Sequence, residues 1–189
     1  MYRTADKFRM ILSYVKFDNR ENEQGNVDHL NRWSAYSHDS LQYFSFTPNS
    51  ANPSSIPALK TYALAVINNE RTKFHVQPLR EGASISADNQ ARFLLTQLTL
   101  THLDSSGNAP SKRYALNGET GFVAENLSVY HCGDVDACKT AISLAVDDML
   151  KDKEPRSNIL KPELTHVSTG IAVGNGKVVM VFDFETRGS

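Results

Sequence analysis

Three separate segments of the chain carry side chains that could bind a metal ion or exchange protons. One supplies His102, a second supplies Glu125 within residues 124–126, and a third ends at His166 in residues 156–166. Two imidazoles and a carboxylate are suitable ligands for a divalent cation and suitable groups for proton transfer. Function therefore depends on whether the fold brings these segments together.

The composition bounds the class of protein. The 189 residues, of which 40% are hydrophobic and 22% charged, are enough for one substantial core and are typical of a globular domain. A formal net charge of −1, with no basic stretch that has interleaved aromatic residues, argues against nucleic acid as a partner. The longest apolar runs are too short to form a transmembrane segment.

The two cysteines bear on the compartment. Cys132 and Cys138 lie six residues apart, and the chain has no other cysteine. Such a pair can close a small disulfide loop in an oxidising compartment, which predicts a secreted or cell-surface protein. The alternative is two free thiols in a cytosolic protein.

The chain divides near residue 56. Residues 1–56 form a predicted N-terminal extension, in which residues 47–55 are a loop by composition and residues 10–17 and 41–46 are short apolar pieces. Residues 57–189 form the predicted main domain. Periodicity does not decide whether the short apolar pieces are strands or a helix.

Three helices are predicted in the main domain. The first is capped by Ser55 and ends near Phe74, and the second is capped by Ser86, continues its apolar stripe to Leu98 and ends near His102. Residues 103–118, rich in Ser, Gly, Asn and Pro, are predicted to be a loop. The third helix begins at Asp134 or Asp136.

Two strands complete the pattern. Residues 167–173 and 177–184 alternate with period two and are joined by a Gly-Asn-Gly turn, which predicts a hairpin. The second strand has apolar residues on both faces, so helices are expected on both sides of the sheet. The sequence therefore predicts an α/β fold, a three-layer α/β/α sandwich.

From Pro57 onward the chain resembles the CAP superfamily (cysteine-rich secretory, antigen 5 and pathogenesis-related 1 proteins; the SCP domain), especially its bacterial-type members. The resemblance rests on ordered segments at residues 66–71, 101–107, 124–127, 156–162 and 165–167. It implies a largely antiparallel central sheet and functional residues at His102, Glu125 and His166. Asp152 stands near the place of a further family glutamate and is the candidate fourth ligand. The tryptophan near that glutamate is absent, and Pro155 and Ala124 replace the family's histidine and glycine.

These residues leave several functions open. The four candidate ligands suit Zn²⁺ or another divalent cation, whereas the alternative is a hydrogen-bonded cluster that joins a loop to the sheet. Neither Ser128 nor Ser168 lies on a nucleophile elbow, so no catalytic residue is assigned.

The first hypothesis is a secreted or surface-exposed binding protein whose cleft takes a cation, a peptide or a lipid. The second is a metal-dependent peptide hydrolase with Glu125 as base. The third is a structural or adhesion protein with a vestigial cleft. The protein partner and the oligomeric state are not indicated by the sequence.

Overall fold

The computed structural model describes residues 11–16 and 55–186. This part of the chain contains five strands and five helices. The strands are β1 (Ile11–Lys16), β2 (Arg80–Glu81), β3 (Val123–His131), β4 (His166–Gly174) and β5 (Lys177–Glu185). The helices are α1 (Ile56–Lys73), α2 (Ser86–Leu95), α3 (Pro110–Leu116), α4 (Val135–Met149) and α5 (Lys153–Leu160).

The strands form a single sheet in the order β1-β3-β5-β4-β2, with β5 at its centre. All neighbouring strands are antiparallel except β2 and β4, which are parallel. The predicted hairpin joins β4 and β5 through Asn175 and Gly176, both with positive φ, the conformation that a tight two-residue hairpin turn requires. The hairpin and the largely antiparallel sheet are confirmed.

Helices cover both faces of the sheet. On one face, which we call the α2 face, small residues of α2 pack against alternate residues of β3, β4 and β5, including Leu127, Ala172, Val179 and Val181. On the opposite face, the α1 face, α1, α4 and α5 pack against the intervening residues, including Phe182 and Phe184. The three-layer α/β/α prediction is therefore confirmed.

Helix boundaries agree with the sequence at some ends and differ at others. Helix α1 ends at Lys73, and α4 is capped by Asp134, whose side chain accepts a hydrogen bond from Ala137 N at 2.8 Å. Ser55 occupies the N-cap of α1 but makes no capping hydrogen bond. The prediction that α2 reaches His102 is wrong, because its last turn tightens at residues 96–97, whose N–H groups bond three residues back.

Two further predictions, for Leu98 and for residues 110–116, are also wrong. Leu98, assigned to the apolar stripe, is 95% exposed because it lies beyond the end of α2. Residues 110–116, predicted to be part of a loop, form α3, whose first turn contains Pro110. Proline is well suited to a first helical turn, where its missing N–H has no intrahelical partner.

The predicted N-terminal extension lies mostly outside the described residues. Its described part includes β1, which pairs with β3 at the edge of the sheet, from Ile11 opposite Val129 to Lys16 opposite Ala124. The domain boundary at residue 56 stays a prediction.

The contact between α2 and the sheet depends on a glycine. A Cβ atom on Gly170 of β4 would overlap the backbone carbonyl of Ala87 in α2. A backbone carbonyl in a packed helix cannot turn aside as a flexible side chain can. The close packing of α2 on β4 therefore requires glycine at position 170.

We predict that Gly170→Ala lowers the free energy of unfolding by about 1–3 kcal/mol, because the added methyl group forces α2 away from the sheet. Urea unfolding followed by circular dichroism measures the change. Gly133→Ala is the matched control, since a Cβ there meets no atom within 4 Å. Equal stability of the two variants would contradict the close approach.

Candidate functional site

Glu125 lies at the centre of a polar cluster on the α2 face of the sheet. Its side chain is fully buried, and its two carboxyl oxygens have different partners. His102 Nδ1 lies 2.6 Å from Oε1, and Arg113 Nη2 donates to Oε2. The structure thus brings together two of the residues singled out from the sequence, and adds an arginine that was not.

Arg113 connects the elements around this carboxylate. From α3 its Nη1 donates to the carbonyl of His102 at 2.5 Å and to that of Asn108 at 3.3 Å. Its Nε donates to the hydroxyl of Ser86, at the start of α2, at 3.3 Å. One guanidinium therefore joins α2, α3, the loop that carries His102 and strand β3. Bonds in several directions at once suit the planar, multiply donating arginine better than lysine.

A second carboxyl group lies beside Glu125 on the neighbouring strand, on the same face of the sheet. Asp183 of β5 lies directly opposite Glu125 and is buried. No hydrogen-bond donor of the described residues reaches its carboxyl oxygens. Two charged carboxylates on neighbouring strands of one buried site repel each other, which favours a proton on one of them. Burial, followed by the charge of Glu125, raises the pKa of Asp183 well above its usual value.

The proton on one of these two carboxyl groups sets the net charge of the buried polar groups. Burial raises the pKa of Glu125 to about 7, and the nearby Arg113 opposes that increase. Burial and then Arg113 lower the pKa of His102 to about 3, so its imidazole is neutral at pH 7. With one proton shared by Glu125 and Asp183, the pair carries one negative charge beside the single positive charge of Arg113. We call these four residues the Glu125 cluster.

Another buried carboxylate lies next to this cluster. Glu185 of β5 accepts hydrogen bonds from the hydroxyls of Tyr114 and Ser168, the latter at 2.7 Å. Ser168 in turn accepts from the backbone N–H of Ser84 at 3.0 Å. A Cβ on Gly82 would overlap both Glu185 and Ser168, so the chain after β2 must be glycine at this point.

The four candidate metal ligands do not converge. His166 lies on the α2 face at the start of β4, opposite Glu185, with its Nδ1 2.9 Å from Thr165 Oγ1. Asp152 is the exposed N-cap residue of α5, and α5 lies on the α1 face, so the sheet separates Asp152 from Glu125. Among residues 11–16 and 55–186, no group of three or more His, Cys, Asp or Glu side chains is arranged to hold a metal ion.

The residues at the centre do not fit a divalent cation. Zn²⁺ would need lone pairs from Glu125 and from the two imidazoles. Both oxygens of Glu125 are engaged, and Nδ1 of His102 is used in one of those contacts. The guanidinium already beside the carboxylate would repel a second cation. Arg113 supplies the positive charge that the metal was expected to supply.

Two other sequence interpretations can be compared with the structure. Cys132 and Cys138 form a disulfide between the end of β3 and α4, as predicted. Asn126, which begins a glycosylation acceptor pattern, is fully buried on the α1 face. Its amide donates to the carbonyl of Pro155 and accepts from Asn158 at 2.8 Å, which joins α5 to β3. Its role in the folded protein is structural.

Sequence reasoning missed the partners of Glu125 for different reasons. Arg113 lies in a segment whose Ser, Gly, Asn and Pro content indicated a loop, and no pattern marked it. Asp183 and Glu185 did leave a signal, since they continue the period-two face that contains Val179 and Val181. Charged residues on a strand face expected to be covered indicate a buried polar network.

The architecture is that of known CAP (SCP-domain) structures. An extracellular SCP-domain protein of Bacillus anthracis has a TM-score of 0.58 and 12% identity, over 72% of this chain and 44% of that one. An outer surface protein of Borrelia burgdorferi has a TM-score of 0.58 and 14% identity, over 75% of this chain and 100% of that one. The chain thus spans less than half of the Bacillus protein. No family model and no curated protein matches the sequence. The similarity shows the CAP fold.

We predict that titrating Zn²⁺ into the metal-stripped full-length protein and into its His102→Ala/His166→Ala variant gives the same heat of binding. Both oxygens of Glu125 are engaged and Arg113 already lies beside that carboxylate, so the two histidines add no cation site. Calorimetry measures the heats, and circular dichroism verifies that the variant is folded. A saturable heat that only the unmodified protein gives would restore the predicted metal site.

A second prediction concerns the proton held by Asp183. Because the folded pKa lies above the unfolded one, the stability due to this proton is fully present below about pH 4 and is lost as the pH rises through the folded pKa. Asp183→Asn cannot ionise and lacks this loss. From about pH 4 to pH 8 the unmodified protein should therefore lose stability relative to Asp183→Asn, by up to about 1.4 kcal/mol per pH unit.

Urea unfolding at several pH values tests this prediction. Asp147→Asn, at an exposed position on α4, removes the same charge outside the cluster and is the control. The contribution of His102 has the opposite sign, because burial and Arg113 lower its folded pKa while the charge of Asp183 opposes them. Parallel stability curves for the unmodified protein and Asp183→Asn would show that Asp183 does not hold the proton.

Proposed function

We propose that this protein is an extracytoplasmic binding protein of the CAP fold whose central polar cluster is structural and not catalytic. The observation that carries the proposal is the state of Glu125, whose two oxygens are bonded to His102 and Arg113. Through these two contacts Glu125 joins α3 and the loop that carries His102 to β3, which is a structural role. A partner would therefore bind at a surface of the domain and not at the Glu125 carboxylate.

The disulfide and the structural neighbours support the extracytoplasmic location. Disulfides such as Cys132–Cys138 persist in oxidising compartments and are rare in the cytosol. The Bacillus and Borrelia proteins of the same fold are described as extracellular and outer-surface proteins. In the part of the chain that the structure describes, no helix combines the length and hydropathy of a membrane span.

The same geometry disfavours the hydrolase hypothesis. Ser168 donates to Glu185 and is buried. Ser128 is buried on the α1 face, where its hydroxyl points to Met180 Sδ at 3.8 Å. The cysteines are bridged and offer no thiolate. These contacts favour a binding role for the protein over a hydrolytic one.

We predict that the full-length protein shows no peptide hydrolysis above that of Glu125→Gln, with or without added Zn²⁺. The physical reason is that Arg113 and His102 occupy the oxygens that an attacking water would need. A mixed set of fluorogenic peptides measures turnover, and Asp183→Asn serves as a second variant in the same cluster. Turnover that a chelator removes and Glu125→Gln abolishes would overturn the binding-protein proposal in favour of a hydrolase.

A further inference from the structure

A shallow, open cavity of about 430 Å³ lies beside α5, away from the Glu125 cluster. It is lined by residues of α5 and of the chain that follows it: Lys153, Arg156, Ser157, Leu160, Lys161 and Pro162. These residues are separated from the Glu125 cluster by the sheet, because α5 packs on the α1 face.

All the charged residues that line the cavity are positively charged. Lys153, Arg156 and Lys161 come from nine consecutive positions of a chain whose formal net charge is −1. Acidic residues are present in the same part of the sequence, but Asp152, Glu154 and Glu163 do not line the cavity. Three cations around one concave surface raise the local concentration of anions.

Two of the three cations are held in place by contacts with the protein. The guanidinium of Arg156 lies 4.6 Å from the centre of the Phe74 ring, and its Nη1 donates to the carbonyl of Leu150 at 3.2 Å. The ammonium of Lys161 lies 4.1 Å from the centre of the Phe122 ring. Such contacts with aromatic rings restrict long side chains without neutralising them. A ligand would therefore lose less side-chain entropy on binding here than at freely moving lysines.

The mixture of groups indicates the chemistry of the ligand. A planar guanidinium and two ammonium groups match a phosphate, which offers several oxygens and more than one negative charge, better than they match a single carboxylate. The hydroxyl of Ser157 adds a further hydrogen-bonding group. Leu160 and Pro162 offer an apolar surface beside the cations, which suits an organic group attached to the phosphate.

We propose that this cavity, which we call the α5 cavity, binds a phosphate ester, with Lys153, Arg156 and Lys161 contacting its oxygens and Leu160 and Pro162 contacting its organic part. The inference rests on the proposed binding function and gives that function a ligand class. A soluble organophosphate and a phospholipid headgroup share this chemistry, and the experiment separates them.

The test measures binding of full-length protein at low ionic strength to two phosphate probes. Glycerol 1-phosphate, with glycerol as the uncharged comparison, is titrated by calorimetry. Vesicles of phosphatidylcholine, alone or mixed with phosphatidylglycerol, are tested by co-sedimentation. The Lys153→Gln/Lys161→Gln variant removes two cations of the cavity, and Lys112→Gln/Lys139→Gln removes two lysines on α3 and α4 as a charge-matched control.

We expect the cavity variant to bind about tenfold more weakly than the control variant, and added salt to weaken binding by the unmodified protein. Binding of both probes, or of glycerol 1-phosphate alone, indicates a soluble organophosphate as a sufficient ligand. Binding of phosphatidylglycerol vesicles alone indicates a lipid headgroup. Equal affinities of the two variants, or no binding of either probe, would overturn the inference. Neither result would bear on the binding-protein proposal, which fails only if Glu125-dependent turnover is found.

Discussion

The ion pair between Glu125 and Arg113 constrains much of the α2 face. Both groups are buried, so each needs its hydrogen-bonding partners, and removing one partner of such a pair typically costs about 3–5 kcal/mol. The buried carboxyl groups of β5 also restrict the register of the sheet. A slip of one residue between β3 and β5 would move Asp183 and Glu185 to the α1 face, among the apolar residues of α4.

On the α1 face, a buried arginine joins separate segments through hydrogen bonds to backbone carbonyls and not through an ion pair. Arg71 of α1 is fully buried and donates to four backbone carbonyls, those of Gln77, Ile159, Lys161 and Leu164. Its positive charge is stabilised by carbonyl dipoles, and burial lowers its pKa. Each helical layer is thus held by one arginine that bonds to segments distant in sequence. The two side chains fix the loops on either side of the sheet, which single apolar contacts cannot do because they have no direction.

The sequence carried more information about the fold than about the site. Period-two and helical patterns located α1, α4 and the β4–β5 hairpin, because burial of one face leaves a periodic signal. The pairing of His102 with Glu125 could be anticipated from the family resemblance alone. Arg113 could not, because a short helix after a Ser- and Gly-rich stretch has too few residues to show periodicity. Asp152 was misleading, because sequence proximity to a family motif does not show on which side of the sheet a residue lies.

The central position of β5 has a consequence for how the protein is made. β3 is synthesised long before β5, and α4, α5 and β4 all lie between them in the chain. Until β5 leaves the ribosome, β3 has only β1 as a neighbour and Glu125 lacks Asp183 as its cross-strand partner. The sheet therefore cannot close progressively from its N-terminal side, and pairing across so long a loop is slow.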